Sequence, residues 1–179
     1  YKGGGAVGSA AQDGTNATQY KVTAAPIDGL KIGADYYETG GDKLSTVSQE
    51  KTGGNVYAQY AMGNFKVGYG KSLYAPALTA KNGAKTMYET DSYGIEFAVN
   101  DALSLSVTKE KSEATQNNAI VAGASGGVKT KVEADIDTYQ VAYVIGGATL
   151  GLAIAETSNA DYVSGKDEKV TMFSLAMAF

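Results

Sequence analysis

The segment Phe173-Ser174-Leu175-Ala176-Met177-Ala178-Phe179 alternates large apolar residues with small ones. Strict alternation places Phe173, Leu175, Met177 and Phe179 on one face of an extended strand and small or polar residues on the other. The sequence offers no following element to cover that apolar face. The expectation is an apolar medium or partner lying outside it.

The same pattern recurs along the chain, about ten residues at a time. Leu30, Ile32, Ala34 and Tyr36 oppose Lys31, Gly33, Asp35 and Tyr37, and Val56, Ala58, Tyr60 and Met62 oppose Asn55, Tyr57, Gln59 and Ala61. Phe65, Val67 and Tyr69 follow, set against Lys66, Gly68 and Gly70. Tyr93, Ile95, Phe97 and Val99 oppose Gly94, Glu96, Ala98 and Asn100, and Leu103, Leu105 and Val107 oppose Ser104, Ser106 and Thr108. Tyr139, Val141, Tyr143 and Ile145 form another apolar face, as do Leu150, Leu152 and Ile154, and an opening strand carries Tyr20, Val22 and Ala24.

Two kinds of connection separate these segments. Asp28-Gly29, Gly63-Asn64, Asn100-Asp101 and Gly146-Gly147 are hairpin turns, because glycine, asparagine and aspartate tolerate the positive φ of a tight turn. The alternate connections, 40–54, 73–86, 113–131 and 157–169, are long and polar and read as loops. The pattern predicts an all-β, antiparallel up-and-down arrangement of about nine to ten strands, with residues 1–179 as a single domain. Short turns at one end and long loops at the other are the plan of a transmembrane β-barrel, with turns in the periplasm and loops outside.

A soluble barrel or β-sandwich is the competing reading. A soluble barrel fills its interior with the bulky face and turns charge outward. Here the faces opposite the bulky ones carry Gly, Ala, Ser, Thr, Lys, Asp, Glu and Gln, and tyrosines recur near the strand ends of the bulky face. Aromatic ends around an aliphatic middle are the pattern of a lipid-facing band with interfacial girdles. No run reaches the roughly 18 apolar residues of a membrane-spanning helix, and mean hydropathy is -0.18. That test is blind to a barrel, in which only alternate residues meet lipid.

Composition removes whole classes of chemistry. The chain has no cysteine, histidine, tryptophan or arginine. Metal sites lose their commonest nitrogen and sulfur ligands, histidine-assisted nucleophilic catalysis is unavailable, and no disulfide framework exists. Neither an enzyme nor a cofactor is expected. Net charge is -4, which argues against a nucleic-acid partner. The acidic run Glu133-Ala134-Asp135-Ile136-Asp137 lacks the glycine and terminal glutamate of a calcium loop and reads as solvated strand-end charge.

With its repeated strands and its terminal Phe173, Leu175, Met177 and Phe179, the chain resembles the β-barrel porins of Gram-negative outer membranes. That resemblance implies residence in the outer membrane, contact with its lipid, passive passage of small hydrophilic solutes and ions, and a homotrimer among the expected assemblies. It also implies that the final strand is a recognition signal for the outer-membrane assembly machinery, with Phe179 its key residue. Porins commonly line a constriction with arginines opposed by carboxylates. With no arginine, this chain departs from that pattern. The inward faces instead offer Lys31, Asp35, Tyr57, Gln59, Lys66 and Glu96 as pore-lining candidates of mixed sign. A structural or adhesive barrel with a packed interior is the alternative.

Strand counting adds an expectation. With the C-terminus in the periplasm, the final strand descends, and so does the strand through Tyr20 and Val22. Barrels of this class have even strand numbers. The stretch 2–11 therefore reads as an ascending strand with 13–16 as its loop, and as the tail of a strand that begins upstream. On this reading the chain is the C-terminal part of a larger barrel. A pore would need about 16 to 18 strands, because eight enclose only packed side chains.

Overall fold

The computed structural model describes residues 17–39, 47–79, 85–117 and 129–177. Their strands are β1 (Ala17–Ala24), β2 (Leu30–Thr39), β3 (Val47–Gln49), β4 (Lys51–Met62), β5 (Phe65–Ala75), β6 (Leu78–Thr79), β7 (Lys85–Ala98), β8 (Leu103–Asn117), β9 (Lys129–Ile145), β10 (Ala148–Ser158) and β11 (Glu168–Met177). Nine of them form one antiparallel meander in the order β1-β2-β4-β5-β7-β8-β9-β10-β11. β3 pairs with β6 as a separate two-stranded sheet. The all-β, up-and-down architecture read from the alternation is present. Among the described residues β1 and β11 each pair on one side only, so the sheet is open. The strand expected over 2–11, its loop at 13–16, and Phe179 lie outside the described residues.

Register follows from hairpin chemistry. Gly63 and Gly146 adopt φ 58°, as the tight turns after β4 and β9 require. At the turn after β7, the Asn100 side-chain oxygen accepts from the backbone N–H groups of Ala102 and Leu103, both at 2.9 Å. With register set, most bulky residues fall on one face; Tyr37, Tyr57, Tyr74, Tyr88, Val144, Val170 and Met172 lie on the other. Across the centre of the sheet the register runs Val67, Ile95, Val107, Tyr139, Ile154.

The bulky face is also the open one. Ile95 is 57% exposed, and Phe173, on the edge strand, 82%. The few buried residues described in this sheet, Gly53, Ser112, Ala114 and Ala134, lie on the opposite, small-residue face. Burial of this kind inverts the rule for a water-soluble sheet, whose bulky side chains should be the hidden ones.

Several strands run well past the ends read from the sequence. Parts of the expected loops 40–54, 73–86, 113–131 and 157–169 are strand: β4 begins at Lys51, β5 reaches Ala75, β8 reaches Asn117, and β9 spans 17 residues. Beyond the apolar belt the bulky face changes to charge, and the charges pair across strands. Lys71 meets Asp91 at 3.3 Å, Lys109 meets Asp137 at 3.1 Å, Lys131 meets Glu113 at 2.6 Å, and Lys169 meets Glu156 at 2.7 Å. Three of these pairs are direct register partners and Lys131–Glu113 is a diagonal one; such opposite-charge pairs support the ladder where no apolar contrast exists. Glu133 and Asp135 of the acidic run face Lys111, at 3.5 and 3.8 Å, and Asp137 faces Lys109.

Candidate functional site

The small-residue face is where polar side chains converge. Register places Lys31, Asp35, Tyr57, Gln59, Lys66 and Glu96 together on it, within β2, β4, β5 and β7. Lys66 and Glu96 are direct cross-strand partners and form an ion pair at 2.7 Å. Lys31 stands opposite Gln59. The Asn55 amide donates to Asp35 Oδ2 at 2.6 Å. Positive and negative groups thus lie side by side on one face of the sheet.

Tyr57 owes its pose to a glycine. A Cβ at Gly33, its cross-strand partner, would lie 2.5 Å from the Tyr57 ring, so only glycine lets the ring cover the β2 backbone. Tyr37 repeats the arrangement over Gly53, where a Cβ would lie 2.6 Å away. Aromatic rings laid over cross-strand glycines shield a weak point of the ladder and fix register. Beside Tyr57 the face is nearly bare: Gly68, Gly70, Ser92 and Gly94 floor a shallow pocket of about 250 Å³, with Glu110 on its far side.

At the long-connection end, the segment between β10 and β11 folds back onto this face. Asn159, at φ 53°, donates from its side chain to the Glu133 carbonyl at 2.9 Å and accepts from the Gly165 N–H at 2.9 Å. Asparagine is one of the few side-chain-bearing residues that adopt this left-handed backbone readily. A 3₁₀ turn at Ala160–Tyr162 follows. The Tyr162 hydroxyl then lies 2.7 Å from Ser112 Oγ, which lies 2.8 Å from Thr90 Oγ1. Lys166 ties the segment together by pairing with Asp161, and with Glu168 at 3.0 Å. Bonds to Asp161 first and Glu168 second hold its ammonium above the usual lysine range.

Tyr162 also completes a row of aromatic rings. Tyr37, Gly53, Tyr74 and Tyr88 are successive register partners across β2, β4, β5 and β7. Tyr74 and Tyr88 stack with centroids 6.0 Å apart, and Tyr88 meets Tyr162 at 5.3 Å. Sequence reasoning placed Tyr37 and Asn55 on this face but missed the row, the bond from Asn55 to Asp35, and Glu110 as a member of the face. Period-2 parity would have found Glu110, which shares the face of Ser106 and Thr108. Nothing local announces Tyr162, whose position depends on the turn at Asn159.

Comparison with family models, with curated proteins and with solved structures gives no match for this chain.

Proposed function

We propose that this chain forms part of an outer-membrane β-barrel porin, through which small hydrophilic solutes and ions diffuse passively. The observation that carries this reading is the division between the two faces. An exposed belt of bulky apolar residues crosses all nine strands of the main sheet, with ion-paired charge beyond it on the same face. The opposite face carries mainly glycine, alanine, serine, threonine and a few mixed charges, with Tyr37, Tyr57, Tyr74 and Tyr88 among them and Val144, Val170 and Met172 on β9 and β11. An apolar outside and a polar inside suit a barrel wall between lipid and water. Lipid would cover the belt, and the charged extensions would stand in the aqueous layer beyond the headgroups. Phe173, Leu175, Met177 and Phe179 would serve the assembly machinery as its recognition strand.

In a pore built this way, the wall around Lys31, Asp35, Tyr57, Gln59, Lys66 and Glu96 sets selectivity. Because Lys66 and Glu96 neutralise each other, selectivity between anions and cations should be weak. The test is conductance of the complete protein refolded into planar lipid bilayers. Stepwise, long-lived, nearly ohmic currents are expected. A folded, membrane-inserted protein that leaves the bilayer tight would overturn the pore reading.

A further inference from the structure

We infer that the polar face holds a binding site for amino acids with straight aliphatic side chains, running from the Lys66–Glu96 ion pair to Met172. One register row crosses the face from charge to hydrocarbon: Lys66, Glu96, Ser106, Gln140, Ala153 and Met172 are successive partners on β5, β7, β8, β9, β10 and β11. A cavity of about 440 Å³ lies along this row and takes in every member from Glu96 to Met172. Toward β11 the face changes character. β9 and β10 present no charged side chain to it, and Met172 and Val170 of β11 stand 52% and 49% exposed. Ala153 and Ala155, their partners on β10, are too short to cover them.

The two ends together select the ligand. Lys66 holds Glu96 at 2.7 Å, so a simple cation has to draw the carboxylate away from its partner, and a simple anion has to do the reverse. A zwitterion sets its ammonium against Glu96 and its carboxylate against Lys66, and the charges stay balanced. Between the ends, Ser106 Oγ donates to Gln140 Oε1 at 3.0 Å, and the Gln140 amide nitrogen has two N–H donors to offer the same carboxylate. A hydrocarbon without a polar head would cover these groups unbonded, which is costly. From Gln140 to Met172 is two strand spacings, about 10 Å. A short or branched side chain stops over Ala153, whereas a straight chain of six carbons reaches Met172.

The inference rests on the pore reading, because the polar face must meet water for a solute to reach it. The experiment compares two isomers on the complete, detergent-purified protein: α-aminooctanoic acid, with both charges at one end, and ω-aminooctanoic acid, with one charge at each end. Equilibrium dialysis, corrected with protein-free micelles, reads binding, and planar bilayers read conductance. Saturable binding of the α-isomer is expected, with little or none of the ω-isomer. Shortening the tail to α-aminohexanoic acid should weaken binding roughly four- to fifteenfold, or about two- to fourfold for each methylene withdrawn from apolar contact. Met172→Lys and Ala153→Asp should each flatten this dependence on tail length, while Glu96→Gln should weaken both tail lengths alike. Heat-dependent gel mobility establishes that each variant is folded, and the isomer comparison needs no variant. Equal binding of the two isomers, or an undiminished dependence on tail length in folded Met172→Lys and Ala153→Asp, would overturn the inference. Normal conductance without binding of the α-isomer defeats the amino-acid site alone. Binding without conductance supports the site and removes the pore.

Discussion

Ile95 and Gly94 are neighbours in one strand and face opposite sides of the sheet, so the same substitution at each separates lipid from water. Ile95 sits mid-belt, with Val67 and Val107 as its cross-strand partners. On the proposed reading this position lies at the bilayer midplane, where lysine should cost about 2–4 kcal/mol, or roughly 30- to 1000-fold in the folding equilibrium. Were that face wet, an exposed site of this kind would tolerate lysine within about 0.5 kcal/mol. At Gly94 a new Cβ would lie 3.5 Å from Thr108 Cγ2, an ordinary contact, and register places Glu96 and Glu110 on the same face nearby. Gly94→Lys should therefore be nearly neutral. Urea titration of the protein in phospholipid vesicles, followed by heat-dependent gel mobility, reads both variants against the parent. The expected result is a sharply lowered midpoint for Ile95→Lys and an unchanged one for Gly94→Lys. Equal midpoints for the two, or stable folding of the parent in buffer without lipid or detergent, would refute the assignment of faces.

Two further outcomes follow from the same geometry. Glu96→Gln removes the carboxylate that neutralises Lys66 at 2.7 Å, so the reversal potential in a salt gradient should move toward anion preference, and Lys66→Met should move it the opposite way. Deleting Phe179 removes one side chain, whose burial is worth about 1.5–3 kcal/mol. Refolding from urea into detergent should stay nearly normal while insertion in cells falls sharply. Equal impairment in both settings would make Phe179 a packing residue rather than a signal.

The faces were legible in the sequence because alternation survives wherever one side is bulky and the other small. Val67, Ile95 and Val107 needed only period-2 counting to be placed on one face, and the turn at Asn100-Asp101 pairs the last two, while the pairing of Val67 with Ile95 across the long connection 73–86 had no local signal. All six polar candidates fell on one face for the same reason. Strand length was not legible. In Lys109-Glu110-Lys111 both faces are charged, so no amphipathic contrast distinguishes strand from loop. What extends β8 there is pairing with Asp137 and Asp135, residues more than twenty positions away. Likewise Tyr74 and Tyr162 lay inside expected loops. Their partnership with Tyr88 arises from cross-strand register and from the turn at Asn159, neither of which is a local signal.

The direction of the edge strands constrains how such a wall could close in lipid. β1 runs from the long-connection end toward the turn at Asp28-Gly29, and β11 runs the same way, because nine antiparallel strands begin and end with like direction. Joining β1 directly to β11 would make a parallel seam. A second copy in the same membrane orientation would also bring β1 against β11 in parallel. An antiparallel seam needs an odd number of further strands, whatever supplies them. The apolar belt reaches both edges, with Tyr20 and Val22 exposed on β1 and Phe173 and Leu175 on β11. Those further strands must therefore continue the belt, since a polar cap would leave apolar surface and unpaired backbone side by side. Unpaired backbone groups at membrane depth cost several kcal/mol each. In lipid, the edges of this sheet demand partners as strongly as its bulky face demands an apolar surround.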